Sequence, residues 1–194
     1  MISLEVIAVV ITLAAVYLTT RQVIWCWPLG MVSVMLYALV FFEARLYADM
    51  ALQGLYFGLA GYGWWAWLHG AEDHGELAVA TTSPRAWAVL IVLAALGGVF
   101  LGQVLNRLTN ASLPFMDSLL TSFSIAAQWM QTRKLLESWL LWLAVDVLYV
   151  GMFLYKDLYP TAGLYGVFLI LATIGFVQWK RSMGVPGREA GVAA

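Results

Sequence analysis

Apolar stretches long enough to cross a bilayer recur seven times along this chain, at residues 2–20, 24–42, 49–68, 86–104, 114–132, 138–155 and 159–179. A span needs about 20 apolar residues, and with no water at hand its backbone has to satisfy its own hydrogen bonds, which in one segment means a helix. Polar punctuation divides the stretches: TTRQ, FEARLYAD, HGAEDHGELAVATTSPR, NRLTNASLP, TRKLLES and YKDLYP. Of the 194 residues, 63% are hydrophobic and 11% charged, against roughly 45–50% and 25% in soluble domains. A water-soluble fold of this length has no interior large enough for that apolar surface. The expectation is therefore an all-α integral membrane protein with seven transmembrane helices in a single domain, residues 1–181. The N-terminus, MISLEVIAVV, carries no basic leader and reads as the first span. From residue 182 the chain (SMGVPGREAGVAA) is rich in Gly, Pro and Ala and reads as a disordered tail.

Several function classes drop out early. A formal net charge of -1 offers no basic field for nucleic acid. One cysteine, Cys26, excludes an internal disulfide and a cysteine-based metal site, and no cofactor is expected. His69 and His74 fall in the acidic loop between the third and fourth spans, where a solvated loop is the simpler reading than a metal site. A Schiff-base photoreceptor needs a mid-membrane lysine, yet Lys134, Lys156 and Lys180 all lie at span ends. An intramembrane enzyme needs a nucleophile with a base or a metal cluster, and no histidine lies in a span. A receptor or scaffold needs none of the internal symmetry described next.

Orientation follows from the loop cations. One side holds Arg21, Arg85, Arg133, Lys134, Lys180, Arg181 and Arg188, and the other holds Arg45, Arg107 and Lys156, which puts the N-terminus outside and the C-terminus in the cytoplasm. Trp25, Trp27, Trp64, Trp65, Trp67, Trp139 and Trp179 cluster near span ends and read as an aromatic belt.

A shift of 112 residues carries the first three spans onto the last three without a gap. Thr20-Arg21 meets Thr132-Arg133, Trp27 meets Trp139, Leu36-Tyr37 meets Leu148-Tyr149, Gly63 meets Gly175 and Trp67 meets Trp179. The pattern predicts a duplicated three-helix unit, with repeat 1 at about 2–68 and repeat 2 at about 114–180. Three crossings end on the opposite side from where they began, so a linker helix at about 86–104 restores the starting side. A 3+1+3 arrangement of parallel repeats results, a plan used by transporters whose substrate sits between the repeats.

Polar residues inside the spans point to the same place. In the fifth span Asp117, Thr121, Ser124 and Gln128 share one helical face, and in the sixth so do Trp139, Trp142, Asp146 and Tyr149. The two spans are joined by a short turn. Gln128 and Trp142 then lie about 6 Å deep, and Ser124 and Asp146 about 12 Å deep, at 1.5 Å per residue. A carboxylate at that depth costs at least ~2.5–3.5 kcal/mol, so Asp146 needs a local reason, whereas Asp117 is close enough to its helix start to act as a cap. The 112-residue shift sets Asp146 on Val34 and Trp142 on Gly30, so this constellation belongs to the second copy, while Gln53 gives the first copy one mid-span amide. An asymmetric substrate is implied. A flat, cationic ring with hydroxyls suits an indole face and a carboxylate that accepts from two hydroxyls.

The run from FMDSLLTSFSIAAQWMQTRKLLESWLLWLAVDVLYV to GFVQW, together with FFEARLYADMALQGLYFGLAGYGWWAW, resembles the PnuC family of vitamin transporters over most of residues 14–181. That resemblance implies a fold similar to the SWEET sugar transporters, a homotrimer, and facilitated diffusion of nicotinamide riboside across the cell inner membrane, with trapping by a cytoplasmic nucleoside kinase. It also implies that Gln128, Trp142 and Asp146 belong to the substrate site. Some relatives carry Asn where this chain has Asp146, and others carry thiamine, riboflavin or deoxynucleosides, so the cargo stays open among these. No chain of ionisable residues crosses the spans, which predicts a uniporter without ion coupling.

Overall fold

A computed structural model describes residues 2–43, 45, 47–70, 77–108, 113–183 and 192–193. Among them are seven long helices: α1 (Ile2–Thr20), α2 (Cys26–Glu43), α3 (Tyr47–His69), α4 (Pro84–Leu108), α5 (Pro114–Thr132), α6 (Ser138–Tyr155) and α7 (Tyr159–Met183). The seven expected stretches each become one helix. At 1.5 Å per residue each is about 27–38 Å long, the thickness of a bilayer core or slightly more. By length and composition α2, α4, α6 and α7 qualify as membrane spans, and Leu4–Thr20 is a shorter apolar helix. Helices α3 and α5 carry many of the polar side chains that line the interior, Asp49, Gln53 and Tyr56 on the first and Asp117, Thr121, Ser124, Gln128 and Gln131 on the second.

Beyond the helices there is one two-residue parallel pairing, β1 (Thr81–Thr82) with β2 (Val192–Ala193). The chain expected to lose structure at residue 182 stays helical to Met183, and its last described residues pair with β1; residues 184–191 and 194 lie outside the described set. His69 is the last residue of α3, its ring 5.8 Å from that of Trp65. His74 lies outside the described residues.

Helices α1, α2 and α3 pack in sequence, as do α5, α6 and α7, while α1 lies against α7 and α3 against α5. Helix α4 packs on α5. Small residues bring those two backbones together: a Cβ on Gly98 would sit 2.7 Å from Leu119, and one on Gly102 2.6 Å from Phe115.

The details of the turns recur 112 residues apart. After α1, Gln22 adopts a left-handed φ of 57°, and after α5, Lys134 adopts 50°. In each turn the next N–H reaches back to close the helix, Val23 to Leu18 and Leu135 to Met130, both at 3.0 Å. These are left-handed helix caps formed by residues other than glycine, which tolerate φ > 0 only when packing holds them there. Arg45 and Asp157, following α2 and α6, are left-handed as well, at 59° and 58°, and after Asp157 the Leu158 N–H reaches back to Phe153 at 2.8 Å.

Four tryptophans assigned to an aromatic belt belong instead to the interior. Trp27, Trp67, Trp139 and Trp179 are each at most 5% exposed. Trp27 meets Trp67 edge-on at 5.3 Å, Trp139 meets Trp179 edge-on at 5.3 Å, and Trp67 lies 6.0 Å from Trp179. The reason is local. Trp67 donates its indole N–H to the Gln131 carbonyl (3.2 Å) and Trp179 donates to the Thr19 carbonyl (3.0 Å), so polar atoms near helix ends are satisfied inside the protein. Gly63 and Gly175 leave room for the rings of Trp27 and Trp139. Trp25, Trp64 and Trp65 are exposed, as anchors are.

Candidate functional site

Between the two groups of three helices lies a cavity of about 550 Å³, within the ~300–1,000 Å³ range of small-molecule sites. All eight residues singled out from sequence line it: Gln53 from α3, Thr121, Ser124 and Gln128 from α5, and Trp139, Trp142, Asp146 and Tyr149 from α6. Helical spacing explains the convergence. The stripe on α5 and the stripe on α6 face the same space because the Arg133–Glu137 turn folds one helix back along the other. The first half contributes Thr12, Thr19, Trp27, Asp49 and Tyr56, and α7 contributes Tyr165 and Phe168.

The polar anchors sit along the wall formed by α5 and α6. Asp146 is 4% exposed, and no ion pair or hydrogen bond to it forms among the described residues. A buried carboxylate without a protein partner is a group waiting for a donor or a cation from elsewhere. Ser124, on the facing helix, returns its hydroxyl to the Leu120 carbonyl at 2.8 Å and turns its oxygen toward the hydroxyls of Tyr56 and Tyr149. Asp117, read from sequence as a helix cap, opens onto the same cavity; Leu113 occupies the N-cap position and makes no side-chain cap bond.

One residue that the sequence stripe missed fixes the geometry of the aromatic wall. Trp142 donates its indole N–H to Oε1 of Gln131 at 3.1 Å. Gln131, buried in the last turn of α5, also offers its backbone carbonyl to Trp67. The signal was present in the spacing, since Gln131 follows Gln128 by three positions and so lies near the same face.

An aromatic group closes another side. Tyr149 lies 4.6 Å from Tyr165 and 5.7 Å from Phe153, and Phe153 lies 5.2 Å from Tyr165. Tyr56 and Tyr165 escaped the sequence reading because aromatic residues are abundant in every span and carry no periodic mark of their own. The assembled chamber pairs flat apolar faces with three carboxylates (Asp49, Asp117 and Asp146), three glutamine amides and several hydroxyls. That is a surface for holding a small, flat, hydroxylated molecule. Among the described residues no group of three His, Cys, Asp or Glu side chains could hold a metal.

Comparison with known proteins agrees with this chemistry. Relatives include the nicotinamide riboside transporter PnuC of Escherichia coli (strain K12), 28% identical across 96% of this chain and 89% of that protein. The riboflavin/roseoflavin transporter RibM of Streptomyces davaonensis is 24% identical across 90% of this chain and 83% of its own length. Among solved structures, the crystal structure of the vitamin B3 transporter PnuC matches with a TM-score of 0.71 and 25% identity, covering 92% of this chain and 80% of that one. The family model described as nicotinamide mononucleotide transporter matches residues 2–181, so the chain belongs to that family and is a multi-pass membrane transporter.

Proposed function

We propose that this protein carries nicotinamide riboside across the cell inner membrane by facilitated diffusion through the central cavity. The observation that carries the reading is the pairing of Trp142, fixed by Gln131, with the unpartnered Asp146 one turn further along α6. The indole face stacks on a flat cationic ring, an attraction of ~0.5–2 kcal/mol. The carboxylate accepts from ribose hydroxyls, and Gln128, Ser124, Thr121 and Gln53 complete the polar lining. Tyr149 and Trp139 close the chamber as apolar walls.

The architecture in this reading is a 3+1+3 arrangement of parallel repeats, with all seven helices as spans, the N-terminus outside and the C-terminus cytoplasmic. Support comes from the packing of α1 on α7 and α3 on α5, which exchange under the 112-residue shift, and from the paired turns and tryptophan bonds. Transport runs as a uniporter, assembled as a homotrimer, and a cytoplasmic nucleoside kinase traps the cargo. The likeness to RibM supports one alternative cargo, riboflavin, on the same fold.

Counterflow in proteoliposomes separates these readings. Preloaded nicotinamide riboside is expected to drive uptake of labelled nicotinamide riboside with no response to a proton gradient. Exchange with riboflavin or thiamine instead overturns the cargo, and dependence on the gradient overturns the uniporter.

A further inference from the structure

The two pseudo-equivalent turns differ in how they are held. On the second-copy side, the connector between α3 and α4 lies along the α5–α6 turn. Ala80 donates its N–H to the Lys134 carbonyl at 3.1 Å and accepts from the Leu136 N–H at 2.9 Å. Glu137 Oε2 then accepts from both the N–H and the hydroxyl of Thr82, at 2.9 and 2.8 Å. Val79 is buried among the tryptophans at the same place. Charge-assisted bonds of this length are the strong kind.

The 112-residue shift sets Lys134 on Gln22, Leu136 on Ile24 and Glu137 on Trp25. Among the described residues no connector covers that first turn. An open hollow of about 470 Å³ lies against Gln22 and Val23 instead. Gln22 donates to Ser182 at 2.9 Å, and Lys134 Nζ approaches Gln22 Oε1 at 3.5 Å, the long limit of a hydrogen bond. The two turns meet there, beyond the interlocked tryptophans that floor the cavity.

We propose that Glu137 is a positioning residue for transport: through Thr82 it clamps the α5–α6 turn to the α3–α4 connector, and this end of the cavity opens by movement of the α1–α2 turn, whose Gln22 is held by a neutral side-chain bond to Ser182 and by the long contact to Lys134. The Gln22 contacts to Lys134 and then to Ser182 part, while the charge-assisted bonds to Glu137 hold. Glu137 and Thr82 do not line the cavity, so their effect is on opening and not on contact with cargo. Only the comparison of the two turns rests on the parallel-repeat reading.

Reducible cross-links test this on the full chain in proteoliposomes. Cys26 is first changed to Ser, the residue at its counterpart Ser138, to clear the one native thiol. One variant carries Thr82→Cys with Glu137→Cys, the other Gln22→Cys with Ser182→Cys, each joined by a short bis-methanethiosulfonate linker. The two respond oppositely. Without the linker the 82/137 pair, which loses both bonds to Glu137 Oε2, transports at least about tenfold more slowly than its parent, and the linker restores it. The 22/182 pair transports before linking, stops on linking and recovers on reduction. Arrest of the linked 82/137 pair contradicts the clamp, as does continued transport by the linked 22/182 pair. A parental rate in the unlinked 82/137 pair contradicts it equally. Transport is read with whichever vitamin the parent carries, so a wrong cargo changes the label and leaves the comparison intact.

Discussion

Trp142 donates its indole N–H across the α5–α6 interface to the side-chain carbonyl of Gln131, at 3.1 Å. This bond turns a mobile aromatic side chain into a fixed wall of the cavity. Gln131→Leu removes the acceptor and leaves a part-buried N–H unpaired, which costs about 1–3 kcal/mol. Cargo binding is expected to weaken by about tenfold or more, since 1.4 kcal/mol is a factor of ten. Gln131→Glu keeps an acceptor at the same place and is expected to retain most of the affinity. Titration followed by tryptophan fluorescence checks both, and equal losses in the two variants contradict the role given to the bond.

The paired tryptophans invite a contrast. Trp179 donates to the Thr19 carbonyl, whereas the buried N–H of Trp139 has no acceptor among the described residues. Trp179→Phe therefore loses a hydrogen bond worth ~1 kcal/mol, leaving the Thr19 carbonyl with the Gln22 N–H, while Trp139→Phe relieves an unpaired donor. Thermal melts of the purified protein are expected to place Trp179→Phe below Trp139→Phe. The reverse order contradicts the assignment.

Gly175 tests how tightly the Trp139 indole is seated. A Cβ there would lie 2.5 Å from Cζ2 of Trp139, and ring and backbone would have to move. Gly175→Ala is expected to destabilise by about 1–3 kcal/mol, the usual penalty of overpacking. Gly166→Ala meets nothing within 4 Å and is expected to stay within about 0.5 kcal/mol. Parallel melts of the two variants decide it.

How far the sequence could be read follows from which forces leave a mark in it. Hydropathy runs marked all seven helices, because lipid imposes a length on every span. Helical spacing marked the α5 and α6 stripes, and Asp146, Trp142 and Gln128 do face one cavity. Depth alone misled for Trp27, Trp67, Trp139 and Trp179: a tryptophan near a span end looks the same whether it faces headgroups or a neighbouring helix. The glycine partners Gly63 and Gly175, at the same offset, held the distinction. The clamp by Glu137 was invisible, since it joins residues 82 and 137 through a loop with no periodicity. Gln131 sat in the right turn but was overlooked because its acceptor role depends on the Trp142 rotamer, which spacing does not specify.

Asp146 carries the charge argument for the cargo. Asp146→Asn preserves a polar group of the same size without the charge, and Asp146→Ala removes both. Affinity for a cationic ring is expected to fall in the order Asp, Asn, Ala. Riboflavin, with no fixed positive charge, is expected to respond little to the first change. Competition binding with both molecules checks this, and an Asn variant that binds the cationic cargo more tightly contradicts it.

The central claim is that the α5–α6 wall of the cavity binds nicotinamide riboside. Its most direct test is a titration of the detergent-purified protein with nicotinamide riboside, thiamine and riboflavin, repeated on Trp142→Ala and Asp146→Ala. Saturable binding of nicotinamide riboside, absent for the other two and lost in both variants, is the expected result. Binding that survives both substitutions, or that belongs to thiamine or riboflavin alone, contradicts the account.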